Sequence, residues 1–158
     1  MSKTVIWAVI RAAAIGSNCL KTKTGAGLVK DGRLFSTGFN ICAPKPHNYG
    51  DILGSCPRLN IKTGTQYELC SPIHAEVMVC LNIRPGRIAS TLAMYVSQEK
   101  LTYNTIRAAF TTQELQVLEG SELYLSGHYW VCGGCLSFLK AVGVKRVVFE
   151  DLTGMDVE

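Results

Sequence analysis

Ser71-Pro72-Ile73-His74-Ala75-Glu76, read together with Cys132-Gly133-Gly134-Cys135, decides how the rest of this chain is read. Ser71-Pro72 predicts the opening of a helix, because serine can cap and proline suits the first helical position. The run Ala75 to Leu81 is apolar nearly all round, with Glu76 its only charge. That helix is expected to be buried and to end at Pro85-Gly86. A second helix is expected from about Gly133 to Val142, stopped by Gly143. If it starts between Cys132 and Cys135, their i, i+3 spacing brings both sulfurs to one point at its first turn. The positive end of the helix dipole there favours thiolate over thiol, and Gly133-Gly134 let the backbone approach a metal closely. His74 is the third donor. One His and two Cys, with a fourth position left for water, is a catalytic zinc set. Residues i and i+2 of a regular helix diverge by roughly 200°. His74 must therefore sit at the very start of its helix, with Glu76 looking in from the first turn to move protons rather than to ligate.

Outward from that stretch, the pattern alternates. Val5, Ile6, Ala8, Val9, Ala12 and Ala13 give residues 4–16 a broad apolar helical face, with Gly16 as a stop. Residues 25–29 and 34–39 read as strands joined by Asp31-Gly32, a strong tight-hairpin signal. Residues 41–70 hold Pro44, Pro46, Pro57 and the cysteines 42, 56 and 70; a loop that long in a compact domain is functional or tied down. Between 87 and 119, Thr111-Thr112-Gln113-Glu114 opens a short helix reaching Glu119, and Leu92 to Val96 fits either helix or strand. Glu122 to Leu125 and Val144 to Phe149 read as strands, and Glu150 to Glu158 as an acidic, frayed tail. Strands alternating with helices imply an α/β fold.

The chain has 158 residues, 47% of them apolar and 18% charged, which fits one globular domain over residues 1–158 with a sizeable core. The net charge of +4 is spread over single lysines and arginines. That is a mild attraction for a phosphorylated ligand and argues against a nucleic-acid surface. The apolar stretch 4–15 is interrupted by Arg11, lacks a cleavage-like site and is too short to span a bilayer. Seven cysteines without an export signal point to thiols and metal in a cytoplasmic protein rather than to disulfides.

The His-x-Glu and Cys-x-x-Cys pair resembles the signature of the zinc deaminases. Thr24-Gly25-Ala26-Gly27-Leu28-Val29-Lys30-Asp31-Gly32 after Cys19, Ser36-Thr37-Gly38-Phe39-Asn40, Cys56-Pro57-Arg58, Glu68-Leu69-Cys70 and the stretch from Leu139 to Phe149 extend the likeness over most of the length. The chain resembles the cytidine and deoxycytidylate deaminase superfamily, and within it the deoxycytidylate deaminase branch. The resemblance implies a three-layer α/β/α sandwich around a mixed sheet of four to five strands. It implies zinc on His74, Cys132 and Cys135, with Glu76 as general acid and base. The reaction would be hydrolytic deamination of a cytosine nucleotide, dCMP to dUMP and ammonia. Asn40 would hold the sugar, Lys23 would lie near the phosphate, and His128, Tyr129 and Trp130 would form pocket wall. Self-association into a homo-oligomer is also implied.

This sequence departs from that pattern in places. Val131 stands where the family has proline before the first cysteine, and the loop 126–131 is longer than usual. Ile41 replaces the glycine after the family's asparagine, residues from about 84 to 120 read as an insertion, and a fifth strand after Phe149 is missing or short. These differences keep open a different small aminated heterocycle as substrate (a nucleoside, free base or pterin). A base within RNA or DNA, and a non-enzymatic module stabilised by a closed structural zinc, are weaker readings. Cys19, His47, Cys56 and Cys70 form a candidate second, structural zinc set that would pin the long loop; the alternative is separate buried thiols. Cys42 and Cys80 read as packing residues. His128 can touch substrate or cap a turn, and Tyr129 and Trp130 can stack on a base or belong to the core.

Overall fold

The computed structural model describes residues 1–42, 72–84, 102–151 and 153–157. Ser2 starts the first helix, α1 (Lys3–Ala14), by accepting from the Val5 N–H at 3.3 Å. The hairpin β1 (Gly25–Lys30) and β2 (Arg33–Phe39) follows. Asp31 and Gly32 both take positive φ, 51° and 75°, as a tight turn matching strand twist requires. Then come β3 (Ile41–Cys42), β4 (Pro72–Ile73) and the helix α2 (Ala75–Leu81). Beyond them lie α3 (Tyr103–Ala108), α4 (Thr112–Leu118), β5 (Glu122–Ser126), α5 (Gly133–Val142), β6 (Arg146–Phe149) and β7 (Gly154–Asp156).

The sheet has five strands in the order β2-β1-β5-β6-β7. β5 and β6 run parallel, joined through α5, and the other neighbouring pairs are antiparallel. Side chains alternate between its faces. Leu123, Leu125, Val147 and Phe149 join the large core with α2 and α5, whereas Tyr124 and Val148 meet α1. On that second face Trp7 of α1 packs over Tyr124 with ring centroids 5.1 Å apart. Helices thus cover both faces of a mixed sheet, the three-layer arrangement expected from the sequence.

Every residue of α2 is buried. The helix lies so close to β2 that a Cβ on Gly38 would come within 2.6 Å of the Val79 nitrogen. Ser36 Oγ donates to the Val79 carbonyl at 2.7 Å and Asn82 Nδ2 to the Thr37 carbonyl at 2.8 Å, tying strand to helix. Part of the proposed insertion joins the same core through Ile106, Phe110 and Leu118. Arg107 donates to the Ala141 carbonyl at 2.8 Å, which fixes α3 to α5.

Three expectations need correction, and one helix had none. Pro72 lies in β4, paired antiparallel with β3, and the helix begins only at Ala75. Proline before a helix favours extended backbone as readily as a first turn, and the ladder with Ile41–Cys42 selects the extended form. α2 ends at Leu81, capped by Asn82, a turn before Pro85. The acidic tail does not fray: β7 pairs with β6, and Val157 is buried and donates to the Lys145 carbonyl at 3.1 Å. The helix α3, capped by Thr102, had no reading in the sequence pattern. The 41–70 loop beyond Cys42, the segment Leu92 to Val96 and the cap proposed at Ser71 lie outside the described residues. Among the described residues no helix is long and apolar enough to cross a membrane.

Candidate active site

β4 delivers the chain to His74, which caps α2 in an extended conformation, φ −72° and ψ 153°. Its backbone carbonyl accepts from the Val77 and Met78 N–H groups, both at 3.1 Å, while its ring reaches over the helix end. α5 begins in the same way. Cys132 is its cap, φ −67° and ψ 157°, and its sulfur accepts from the Cys135 N–H at 3.3 Å. Two helix starts, each led by an extended residue, therefore face one another. His74 Nδ1 lies 3.6 Å from Cys132 Sγ and 3.3 Å from Cys135 Sγ. All three donor atoms fall within 4.8 Å of one another.

These residues fit zinc. Bond lengths near 2.3 Å to sulfur and 2.0–2.1 Å to nitrogen in a tetrahedron put N and S about 3.6 Å apart. Nitrogen and two sulfurs also form a donor set suited to zinc. No fourth protein donor joins the three among the described residues. Without metal the two thiols are shifted in opposite directions. Cys132 is lowered to about 4, chiefly because the Cys135 thiol donates to it. Cys135 is pushed far up by that same bond and then by burial. Zinc displaces protons held this way, so binding there is coupled to pH.

Glu76 occupies the first turn of α2 and is only 4% exposed. Burial raises its carboxyl above the ordinary value; the neighbouring His74 opposes the shift and Cys132 adds to it. A carboxyl that feels both donors from a dry position is equipped to hold and return a proton. Cys80, one turn on, is fully buried, donates to the Glu76 carbonyl at 3.4 Å and is raised by burial, as a packing residue should be.

The loop between β5 and α5 carries three rings, of which His128 lies near enough to His74 and Cys132 to feel them. His128 is partly buried and held below its ordinary value, first by burial and then by His74. Its ring lies 5.0 Å from that of Trp130. Tyr129 is 59% and Trp130 44% exposed, so the core reading of these two residues fails. Tyr129 leans on Phe149 with centroids 6.3 Å apart. Behind the loop, Ser126 Oγ donates to Glu150 Oε2 at 2.6 Å and Arg11 pairs with the same carboxylate. Burial opposes the ionised form of Glu150, but these two donors outweigh it and hold the carboxyl below its ordinary value. No sequence signal pointed to this brace, because its members come from three separate elements.

Asn40 and Lys23 are placed differently from His128. Asn40 is buried and its carboxamide is engaged at both ends by backbone of residues 22–24. The Lys23 ammonium donates to the Ser17 carbonyl. Cys19 is buried, and its proposed partners His47, Cys56 and Cys70 lie outside the described residues. A cleft of about 390 Å3 lined by Leu34, Phe35, Ser36, Thr37 and Asn82 contains none of the candidate site residues.

No family model matches the chain. A deoxycytidylate deaminase of Schizosaccharomyces pombe is 32% identical over 85 residues, 52% of this chain and 26% of that protein. One of Saccharomyces cerevisiae is 30% identical over 83 residues, again 52% and 26%. The chain thus spans about a quarter of the length of the curated relatives it matches. Crystal structures of a dCMP deaminase from the cyanophage S-TIM5, apo and in complex with dCMP and dUMP, are 21% and 22% identical. Each covers 94% of this chain, and the chain covers 84% and 82% of them, at TM-scores of 0.46 and 0.45.

Proposed function

We propose that this chain, related to the deoxycytidylate deaminases of the cytidine deaminase superfamily, is a zinc-dependent hydrolase that converts dCMP to dUMP and ammonia. The observation that carries the reading is the buried Glu76 set beside the His74, Cys132 and Cys135 donors. His74, Cys132 and Cys135 would hold the zinc. When bound, zinc supplies the Lewis acidity that makes a water acidic near neutral pH.

The chain's own residues do the rest. Glu76 accepts the proton of the attacking water and passes it to the ring nitrogen next to the amino-bearing carbon. A second transfer from Glu76 protonates the departing amine, so that water and the C–NH2 group become C=O and ammonia. The site excludes bulk water on the α2 side, where the whole helix is buried, and this keeps the carboxyl's proton affinity high. Trp130 and His128 offer ring faces for the pyrimidine. The reading extends to one domain over residues 1–158, working in the cytoplasm as a homo-oligomer, with the second zinc on Cys19, His47, Cys56 and Cys70.

The test is ammonia release and uridine-nucleotide formation from dCMP by the zinc-loaded protein, run beside cytidine, deoxycytidine, free cytosine and a pterin. Preference for dCMP supports the reading. Turnover of another member of that panel in its place favours the second reading, a different aminated heterocycle, for which the loop of His128, Tyr129 and Trp130 is the motivating observation. No turnover of any of them defeats both.

A further inference from the structure

Three elements meet at the root of the loop 127–131. Leu125 of β5 and Phe149 of β6 are parallel partners and both belong to the large core. Side chains alternate along a strand, so the residue after each, Ser126 and Glu150, falls on the α1 face of the sheet. There Ser126 Oγ donates to Glu150 Oε2 at 2.6 Å, and Arg11 of α1 pairs with Oε1. Ser126 is buried and is also held by its pairing with Gly25 of β1. A hydroxyl donating to a carboxylate is among the stronger hydrogen bonds between side chains. The Arg11 side chain is 52% exposed, so its ion pair adds little to the hold.

What the Ser126 bond holds is the course of the loop. Gly127 follows at once with φ 84°, and a Cβ there would meet the Lys23 carbonyl oxygen at 2.7 Å. Tyr129 leans on Phe149, the neighbour of Glu150, with ring centroids 6.3 Å apart. His128 stands between these two fixed residues, near enough to His74 and Cys132 for both to act on its proton. The loop then runs into Cys132, the cap of α5 and one of the metal donors. Cys135, a second donor, belongs to the large core on the other face of the sheet from Glu150. The route from Glu150 to the site therefore passes through Ser126 and the loop.

We propose that Glu150 is a positioning residue: by holding the Ser126 hydroxyl it sets the course of the loop 127–131, and so fixes His128 near the metal donors for binding of the cytosine nucleotide. The kinetic part of this inference rests on the deaminase reading; the brace itself rests on geometry alone.

The test uses Glu150→Ala, Ser126→Ala and the double variant, each zinc-loaded. In either single variant KM for dCMP should rise about tenfold, on the order of one hydrogen bond to a charged group, with kcat within a factor of about three. The double variant should be no worse than either single one, because both changes remove the same bond. A double variant about a hundredfold worse in KM means that the two residues act separately and overturns the proposal. So does a fall in kcat at unchanged KM, which reports only a smaller folded fraction. The second measurement needs no turnover. Backbone relaxation measured by NMR should give the His128, Tyr129 and Trp130 amides order parameters of about 0.85 in the wild type, falling below about 0.6 in each variant, while the amides of α5 stay rigid. A wild-type loop already below about 0.6, or variants that leave it rigid, overturns the brace whatever the activity. A rigid loop that loosens in both single variants of a chain inactive on dCMP upholds the brace while the deaminase reading falls.

Discussion

α2 and the loop 127–131 meet at the same site but are built in opposite ways. α2 buries every residue, including its one carboxyl, and its distance from β2 is set by a glycine where no side chain fits. The loop exposes Tyr129 and Trp130 and is held at its root, by Ser126 with Glu150 and by Gly127 against Lys23. The first arrangement fixes atoms and controls proton affinity. The second presents surface. The difference teaches that reaction type is written into the core, where a small displacement is costly. Under the proposed function, choice of substrate would lie in a segment that can change length without disturbing the core.

The largest effects should come from the core side of this division. Replacing Cys135 by serine removes one of the three donors, and the purified protein should hold about one zinc fewer per chain than the wild type and release no measurable ammonia from dCMP. Metal analysis and an ammonia assay on the same sample check this; full activity without metal would break the comparison at its root. Next in size is Glu76→Gln. Losing a general acid and base costs about 10²–10⁴ in turnover, and the zinc content should stay unchanged, because Glu76 is outside the donor group of His74, Cys132 and Cys135. A variant with unaltered kcat would take the carboxyl out of the chemistry.

How much of this could be read beforehand follows the same division. The hairpin turn, the helix Gly133–Val142 and the four key residues of the site were legible because each depends on spacing within one short stretch. The i, i+3 cysteines needed only a helix start between them, and the i, i+2 divergence of His74 and Glu76 forced the histidine onto the cap, where it stands at φ −72°. The misreadings came from tertiary pairing. Pro72 looked like a first helical turn until a two-residue ladder with Ile41–Cys42 made it a strand. The tail 150–158 looked frayed because acidic residues hid a three-residue strand completed only by β6. The three bonds of Asn40 to residues 22–24 likewise arise from a return of the chain that no local pattern encodes.

On the loop side the effects should be smaller and of another kind. Trp130→Ala removes an exposed ring beside His128, and stacking of a base on an aromatic side chain is worth about 1–3 kcal/mol. KM for dCMP should therefore rise about 5- to 150-fold while kcat stays within a factor of about three, by the usual conversion of 1.4 kcal/mol per tenfold. Steady-state kinetics separate the two constants. An equal fall in kcat at constant KM would place Trp130 with the core chemistry and erase the contrast with α2.

The smallest effect is in stability, and it tests the claim about burial directly. Burial is the largest cause acting on Glu76 and lifts its carboxyl above 4.5, with His74 only partly offsetting it. A group whose folded value is raised binds its proton more tightly in the folded state. Its contribution to stability is complete below the unfolded value and is lost as pH rises through the folded one. In zinc-free protein, Glu76→Gln keeps the shape of the protonated carboxyl and cannot ionise. The variant should therefore melt above the wild type at pH 8, and the gap should close as pH falls toward 4. Tyr129→Phe, which alters an exposed ring packed on Phe149, should differ from wild type by the same amount at both pH values. Zinc should shrink the Glu76 gap, because a nearby cation favours the ionised carboxylate that desolvation penalises. Thermal melts of the three proteins at several pH values, with and without zinc, decide the matter. A gap for Glu76→Gln that stays flat with pH would mean the carboxyl is hydrated, and the core would then have no more hold on its proton than the loop has.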